Sequence, residues 1–304
     1  MHYLIKTLKI ILLILKVLAF TVIGLLLTYA VVFSVAGSVV LYKGYKLVKK
    51  PLQEVAVFRT FNPAETKFME QCRRELSLDS TVSDTLLHMF VPLDSISPNL
   101  TSAVIAAEDD AFYLHPGIDI ASILAATEYN RQQGSNKHGG STITQQMAKN
   151  LFLSKERSFD RKYLELLYAV LMERYLGKER ILELYMNYAQ WGKNVFGCEA
   201  AAQYYYKKSC KKLSRNEAAR LAAVLAKPSS ITPYHTKSVF MQKRLAVIAQ
   251  NLYLHHTIDD SGYFSITGLP PPVKPVKDSS GAAVKHSPGS RGGDSGKIKN
   301  RFDF

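Results

Sequence analysis

The sequence predicts a mainly α-helical domain carried on one N-terminal transmembrane helix. Three observations predict it. Residues 17–42 form a run of 26 without a charge, VLAFTVIGLLLTYAVVFSVAGSVVLY. Between residues 98 and 255, apolar side chains recur at helical spacing in one segment after another. No stretch alternates apolar and polar residues long enough to make a sheet.

The uncharged run comes first. At about 1.5 Å per residue it reaches roughly 39 Å, enough to cross a bilayer core of about 30 Å with some tilt. A cleavable signal peptide has an apolar region of only about 7–15 residues. Here IILLIL (10–15) lengthens the apolar stretch further, so residues 1–50 read as an uncleaved anchor with its helix at about 17–42. Lys6, Lys9, Lys16 and the amino terminus flank one side, and Lys43, Lys46, Lys49 and Lys50 the other. The positive charges are balanced across the segment, and the positive-inside rule gives no orientation.

Residues 51–89 read as a connecting region, with one short helix over 62–76 and a loop over 77–84. The main domain follows over 90–255. Its helices are expected over 99–110, 117–131, 142–152, 157–176, 178–190, 197–208, 214–226 and 236–255. Thr142 with Gln145, and Ser214 with Glu217, have the spacing of capping boxes. From 262 to 304 the chain is rich in Pro, Gly, Ser and Lys and poor in apolar residues. That composition cannot offset the entropy of ordering, so it reads as a disordered tail.

Charge narrows the class of partner. The formal net charge is +14. Residues 1–50 carry seven Lys and no acid, and 262–304 carry seven Lys/Arg against three Asp. The body is nearly balanced. Excess confined to the two ends suits membrane lipid as a neighbour and argues against nucleic acid. Cys72, Cys198 and Cys210 are too few and too widely spaced for a disulfide framework or structural zinc. The sequence allows one Cys198–Cys210 disulfide, and buried thiols are the expectation.

Three constellations carry candidate chemistry. In the first, an apolar helix face ends in Glu108, Asp109 and Asp110, followed by Phe112, His115 and Gly117. Acids at a helix C-terminus oppose the macrodipole, so the set is either a solvated helix end or a functional site. In the second, Gly139 and Gly140 feed a helix start at Ser141 and Thr142, with Gln145 and Lys149 one turn apart. Such a start offers backbone N–H groups to an anion or a sugar, or is simply a capped surface helix. In the third, Arg157, Arg161 and Glu165 recur every four residues. This stripe is either a salt-bridged outer face or a cationic patch around a second carboxylate. Glu183 and Asn187, also one turn apart, read as structural.

These runs, in this order, resemble the motifs of the peptidoglycan glycosyltransferases (glycosyltransferase family 51). EDDAFYLHPG resembles that family's E-D-x-x-F-x-x-H-x-G, and GGSTITQQMAKN its G-x-S-T-I-T-Q-Q. Arg161-Lys162-Tyr-Leu-Glu165 resembles R-K-x-x-E, and KERILELYMN resembles K-x-x-I-L-E-x-Y-L-N. FGCEAAAQYYYKK and LSRNEAARLAAVLAKPSSITP resemble its closing helices. Two positions depart from the pattern: Met186 stands where Leu is usual, and Gln190 where monofunctional members often carry Glu. Ser209-Cys-Lys-Lys212 matches S-x-x-K, but no K-T-G follows, and the 49 residues after His255 are too few for a transpeptidase domain. The chain is expected to be monofunctional.

The resemblance implies a lysozyme-like glycosyltransferase domain that polymerises lipid II onto a growing glycan strand, with inversion and release of polyprenyl pyrophosphate. It implies Glu108 as general base and Glu165 as the carboxylate that positions the donor. Substrate contacts are expected from Phe112, Ser141, Thr142, Gln145, Gln146, Lys149, Asn150, Arg157, Arg161 and Lys162. A pyrophosphate leaving group needs charge neutralisation more than protonation, which suits the cations in that set. A divalent cation such as Mg²⁺ is compatible with this chemistry, but no residue cluster demands one, and no cofactor is required by the sequence. The resemblance also implies a domain outside the cytoplasmic membrane, with cell-wall synthesis proteins as candidate partners. The competing classes are a lysozyme-like glycan hydrolase and a non-catalytic cell-wall assembly scaffold.

Overall fold

The computed structural model describes residues 2–78, 85–134, 139–154 and 158–272. Helix α1 (His2–Val57) runs unbroken for 56 residues, about 84 Å at the usual rise. None of its most apolar stretch is buried. A bare apolar helix of this length is stable in lipid rather than water, since each Å² of apolar surface left in water forgoes about 25 cal/mol. The hydroxyls of Thr7, Thr21, Thr28 and Ser38 donate to carbonyls three or four residues back, so they too are satisfied without water.

The helix extends well beyond the expected 17–42, passing Pro51 on its way to Val57. Proline removes one ladder bond, but packing holds the segment, because Pro51 and Val55 are buried where α1 meets α6. Beyond its end, Phe58 meets Phe152 edge-on at 5.3 Å, and Phe152 stacks on Tyr168 at 4.3 Å. Arg180 clamps the same exit. Its guanidinium donates to the carbonyls of Phe58 and Phe61 and to Asn62 Oδ1, at 2.9, 3.0 and 2.6 Å.

The connecting region is therefore part of the folded body rather than a spacer. In it, α2 (Lys67–Ser77) buries Met69, Cys72 and Leu76. Strand β1 (Leu87–His88) pairs in parallel with β2 (Val195–Phe196). Residues 79–84 of the expected loop lie outside the described residues.

The remaining helices follow the predicted order: α3 (Pro98–Glu108), α4 (Ile120–Gln133), α5 (Ile143–Phe152), α6 (Phe159–Tyr175) and α7 (Lys178–Tyr188), then α8 (Cys198–Tyr206), α9 (Arg215–Val224) and α10 (Val239–Leu254). Helix α5 is central, with most of its side chains buried against α2, α6 and α7. Helix α3 packs on α9 and α10. The α9 face is made of Ala218, Ala219, Ala222 and Ala223, all fully buried, and such small side chains let helices approach closely. Glu183 and Asn187 brace the segment after β1: Leu93 N–H donates to Glu183 Oε1 at 2.9 Å, and Asn187 exchanges two bonds with the Val91 backbone. Met186 is fully buried, as the Leu usual there would be.

The boundary of the tail moves. A further helix, α11 (Asp260–Thr267), buries Gly262, Tyr263 and Ile266 against α9 and α10. Asp259 caps it, accepting the Gly262 N–H at 2.8 Å, and Tyr263 meets Tyr253 at 5.7 Å. The folded chain thus continues past 262, and residues 273–304 of the expected tail lie outside the described residues.

Candidate active site

Helix α3 ends on Glu108, and α5 begins at Ile143, so two helix termini face one another. Asp109 joins them. Its carboxylate accepts the Ile143 N–H at 2.9 Å and bonds His115 Nε2 at 2.9 Å. His115 Nδ1 accepts the Gly117 N–H at 3.1 Å, which leaves the imidazole proton on Nε2, facing Asp109. An acid that opposes the dipole of α3 therefore complements that of α5. Burial pushes the Asp109 carboxyl upward, against the pull of the His115 and Ile143 hydrogen bonds. The solvated-end reading holds only for Asp110, which faces solvent 3.9 Å from His255.

Glu108 is largely buried, its side chain 12% exposed, and well held. Arg244 Nη2, from α10, donates to Oε1 at 2.6 Å, and Gln146 Nε2, from α5, donates to Oε2 at 3.1 Å. The Gln146 amide is fixed in turn by Tyr185, whose hydroxyl donates to Gln146 Oε1 at 3.0 Å. Burial raises the Glu108 carboxyl above the ordinary glutamate range, and Arg244 opposes the rise without cancelling it. Tyr185 is pushed well above the usual phenol value, first by burial and then by Glu108, so it stays a neutral donor.

Two cavities open beside this pair of helix ends. One, of about 120 Å³, is lined by Glu108, Asp109, Asp110 and Asp119 with the backbone of Gly139 and Gly140. The other, of about 360 Å³, is lined by Gln146, Lys149, Arg161, Lys162 and Glu165. Ser141 lines both. One half of the cleft therefore carries four carboxylates, and the other three cations and one carboxylate. On the cationic side, Arg161 Nη1 and Lys162 Nζ hold Glu165 at 3.1 and 2.5 Å. Lys162 also donates to Ser141 Oγ at 3.2 Å, tying the α6 cations to the α5 entrance.

A family model described as Transglycosylase matches residues 77–252. The chain belongs to the transglycosylase family. A biosynthetic peptidoglycan transglycosylase of Burkholderia orbicola is similar to it, 44% identical over 201 residues, which cover 66% of this chain and 81% of the relative. A protein of the same name from Ralstonia nicotianae is 48% identical over 174 residues, covering 57% and 74%. In this transglycosylase the charged and polar residues of the cleft all lie inside the matched segment, whereas Phe68, which lines the larger cavity from α2, lies outside it, as do α1 and α11.

The structure brings Glu108, Ser141, Gln146, Lys149, Arg161, Lys162 and Glu165 to the cleft. Four more of the expected contacts, Phe112, Thr142, Gln145 and Asn150, also make contacts within the fold. Phe112 is fully buried, with Lys178 Nζ 4.3 Å from its ring centroid. Thr142 and Gln145 close a capping box on α5, and the Thr142 hydroxyl donates to the Gly117 carbonyl at 2.7 Å. Thr142 lines the smaller cavity, yet its hydroxyl is spent on these bonds. Asn150 donates to the Tyr188 carbonyl at 2.8 Å and accepts from Thr66 at 2.5 Å. Arg157 lies outside the described residues. Gln190 donates to the Lys193 carbonyl at 3.2 Å, a turn contact that needs no charge.

Sequence reasoning missed Arg244. Its signal was present: Met241, Leu245, Ile248 and Leu252 make the buried stripe of α10, and Arg244 falls beside it. A cation on an apolar face has a buried anion to meet.

Proposed function

We propose that this transglycosylase polymerises lipid II into linear glycan strands, releasing polyprenyl pyrophosphate. The observation that carries the reading is the polarised cleft, with a largely buried carboxylate of raised pKa on one side and a cluster of cations on the other. The donor pyrophosphate lies along Lys149, Arg161 and Lys162, and charge-assisted contacts there strengthen as the leaving group gains charge. The acceptor sugar's 4-hydroxyl lies against Glu108. It passes its proton to the carboxylate as its oxygen attacks the donor's anomeric carbon, from the face opposite the pyrophosphate. The new C–O bond forms as the bond to pyrophosphate breaks, which inverts the centre.

Burial raises the Glu108 carboxyl and makes it a stronger base, while Arg244 pulls it back toward the ionised form. Glu165 anchors Arg161 and Lys162 and so positions the donor side. The leaving group departs already ionised, so the cleft needs no second carboxyl acid of the kind a glycosidase uses.

A polyprenyl substrate stays in the bilayer, and the bare apolar surface of α1 holds the cleft beside it. The domain then lies on the outer side of the cytoplasmic membrane, and protease added to intact spheroplasts should digest it while leaving cytoplasmic markers whole. Incubating the purified full-length protein with labelled lipid II should give a ladder of glycan polymers and an equivalent yield of polyprenyl pyrophosphate. Shortening of preformed glycan with no consumption of lipid II would instead identify a hydrolase, and no turnover of either a scaffold.

A further inference from the structure

Away from the cleft, two sulfurs face each other. Cys198 opens α8, and Cys210 opens the 3₁₀ turn Cys210–Lys212. Both side chains are fully buried, and their Sγ atoms are 3.8 Å apart, at van der Waals contact. We propose that Cys198 and Cys210 are a modification site that takes up an intramolecular disulfide.

The surroundings hold the pair together from both sides. Gly197, at φ +81°, starts α8 with its backbone so close to Asn187 that a Cβ would stand 2.5 Å from the Asn187 carbonyl oxygen. Glu199, the next residue but one, accepts the Cys210 N–H at 2.8 Å and the Ser209 hydroxyl at 3.1 Å. Gln203 donates to the other Glu199 oxygen at 3.0 Å. One carboxylate of α8 thus fixes the segment that carries Cys210. A disulfide of about 2.05 Å requires the two Sγ atoms to close from their 3.8 Å contact.

The reaction is a thiol–disulfide exchange with an external disulfide. One cysteine thiolate attacks the reagent's sulfur and expels a thiolate, giving a mixed disulfide. The second cysteine then displaces the other half. Two thiols are oxidised, the reagent's disulfide is reduced to two thiols, and the two cysteine protons end on them. Both sulfurs are closed to solvent, and the Cys198 contact and burial push the Cys210 thiol upward, so exchange in the native domain is slow. It proceeds on the folding chain or on local opening. The disulfide's persistence in cells rests on the domain's placement outside the cytoplasmic membrane, where thiols are not kept reduced.

The test is to isolate the full chain from membranes with an alkylating reagent present, denature it, and map its peptides without reduction. A second sample is held with oxidised glutathione over a prolonged incubation, long enough for repeated local opening, before alkylation. A Cys198–Cys210 cross-linked peptide in the first sample, with Cys72 alkylated, is the expected result. Three alkylated cysteines in the first sample but the cross-link in the second would uphold the site and contradict the outward placement. Three alkylated cysteines in both would overturn the proposal. A reductant should lower the melting temperature of the cross-linked wild type by roughly 5–10 °C and leave Cys198→Ser unchanged. An equal response in both proteins would also count against the bond.

Discussion

At Glu108, the proposed base, burial raises the carboxyl and Arg244 opposes the rise. The expected consequence is a pH effect with a definite sign. A general base works deprotonated, so the acidic limb of kcat/KM follows the Glu108 carboxyl and lies above the ordinary glutamate range. Arg244 lowers that carboxyl, so Arg244→Ala should move the limb to still higher pH. At neutral pH it should cost about tenfold to a hundredfold in rate, the scale of one lost charge-assisted hydrogen bond. Arg244→Lys should recover part of both effects, because a point charge without the planar fork keeps the Coulomb attraction but not the bond to the Ala107 carbonyl. A pH–rate profile for the three proteins checks this. An unmoved limb would mean that Arg244 only packs.

Among the elements, the start of α5 depends on a turn 25 residues earlier. Gly117 sits at φ +91°, its carbonyl accepts the Thr142 hydroxyl, and a Cβ there would stand 2.7 Å from Glu173 Cγ and 3.0 Å from the Ala169 carbonyl oxygen. Gly117→Ala should therefore cost about 1–3 kcal/mol and lower activity with it, because the strained turn no longer holds the end of α5 that carries Gln146. Thermal melting and lipid II turnover of the variant measure both. Signals of this local kind were legible in the sequence. Thr142 with Gln145, and Ser214 with Glu217, spell capping boxes in four residues, and both boxes form. Long-range consequences were not legible. Arg244 meets Glu108 across 136 residues. The β1–β2 pair is two residues per strand, too short for any alternation to show. The local pattern does not show that the Thr142 hydroxyl also donates to the Gly117 carbonyl, or that Asn150 bonds Thr66 and the Tyr188 carbonyl. The reach of α1 past Pro51 depends on Val55 finding a buried site on α6, which no local pattern announces.

Over the whole molecule, the anchor, the cleft and the C-terminal helix form one folded unit. Ending the chain at Gly262 would strip Tyr263 and Ile266 from the surface of α9 and α10, and should destabilise the domain by about 2–5 kcal/mol. Ending it at residue 272 leaves all the described packing in place and should match the full chain. Melting curves of the two truncations in detergent decide it, and equal stability would show that α11 adds nothing. In the proposed reading, these parts together hold one largely buried carboxylate against a lipid-linked sugar. The most direct measurement is the initial rate of lipid II polymerisation by full-length Glu108→Gln beside wild type, with melting temperatures taken on the same samples. The amide keeps the shape of Glu108, and its single oxygen can still accept from one of the two donors, Arg244 or Gln146, but it cannot take a proton. The rate should fall about 10²–10⁴-fold with the melting temperature little changed. A rate near wild type in a normally folded variant would contradict base catalysis by Glu108.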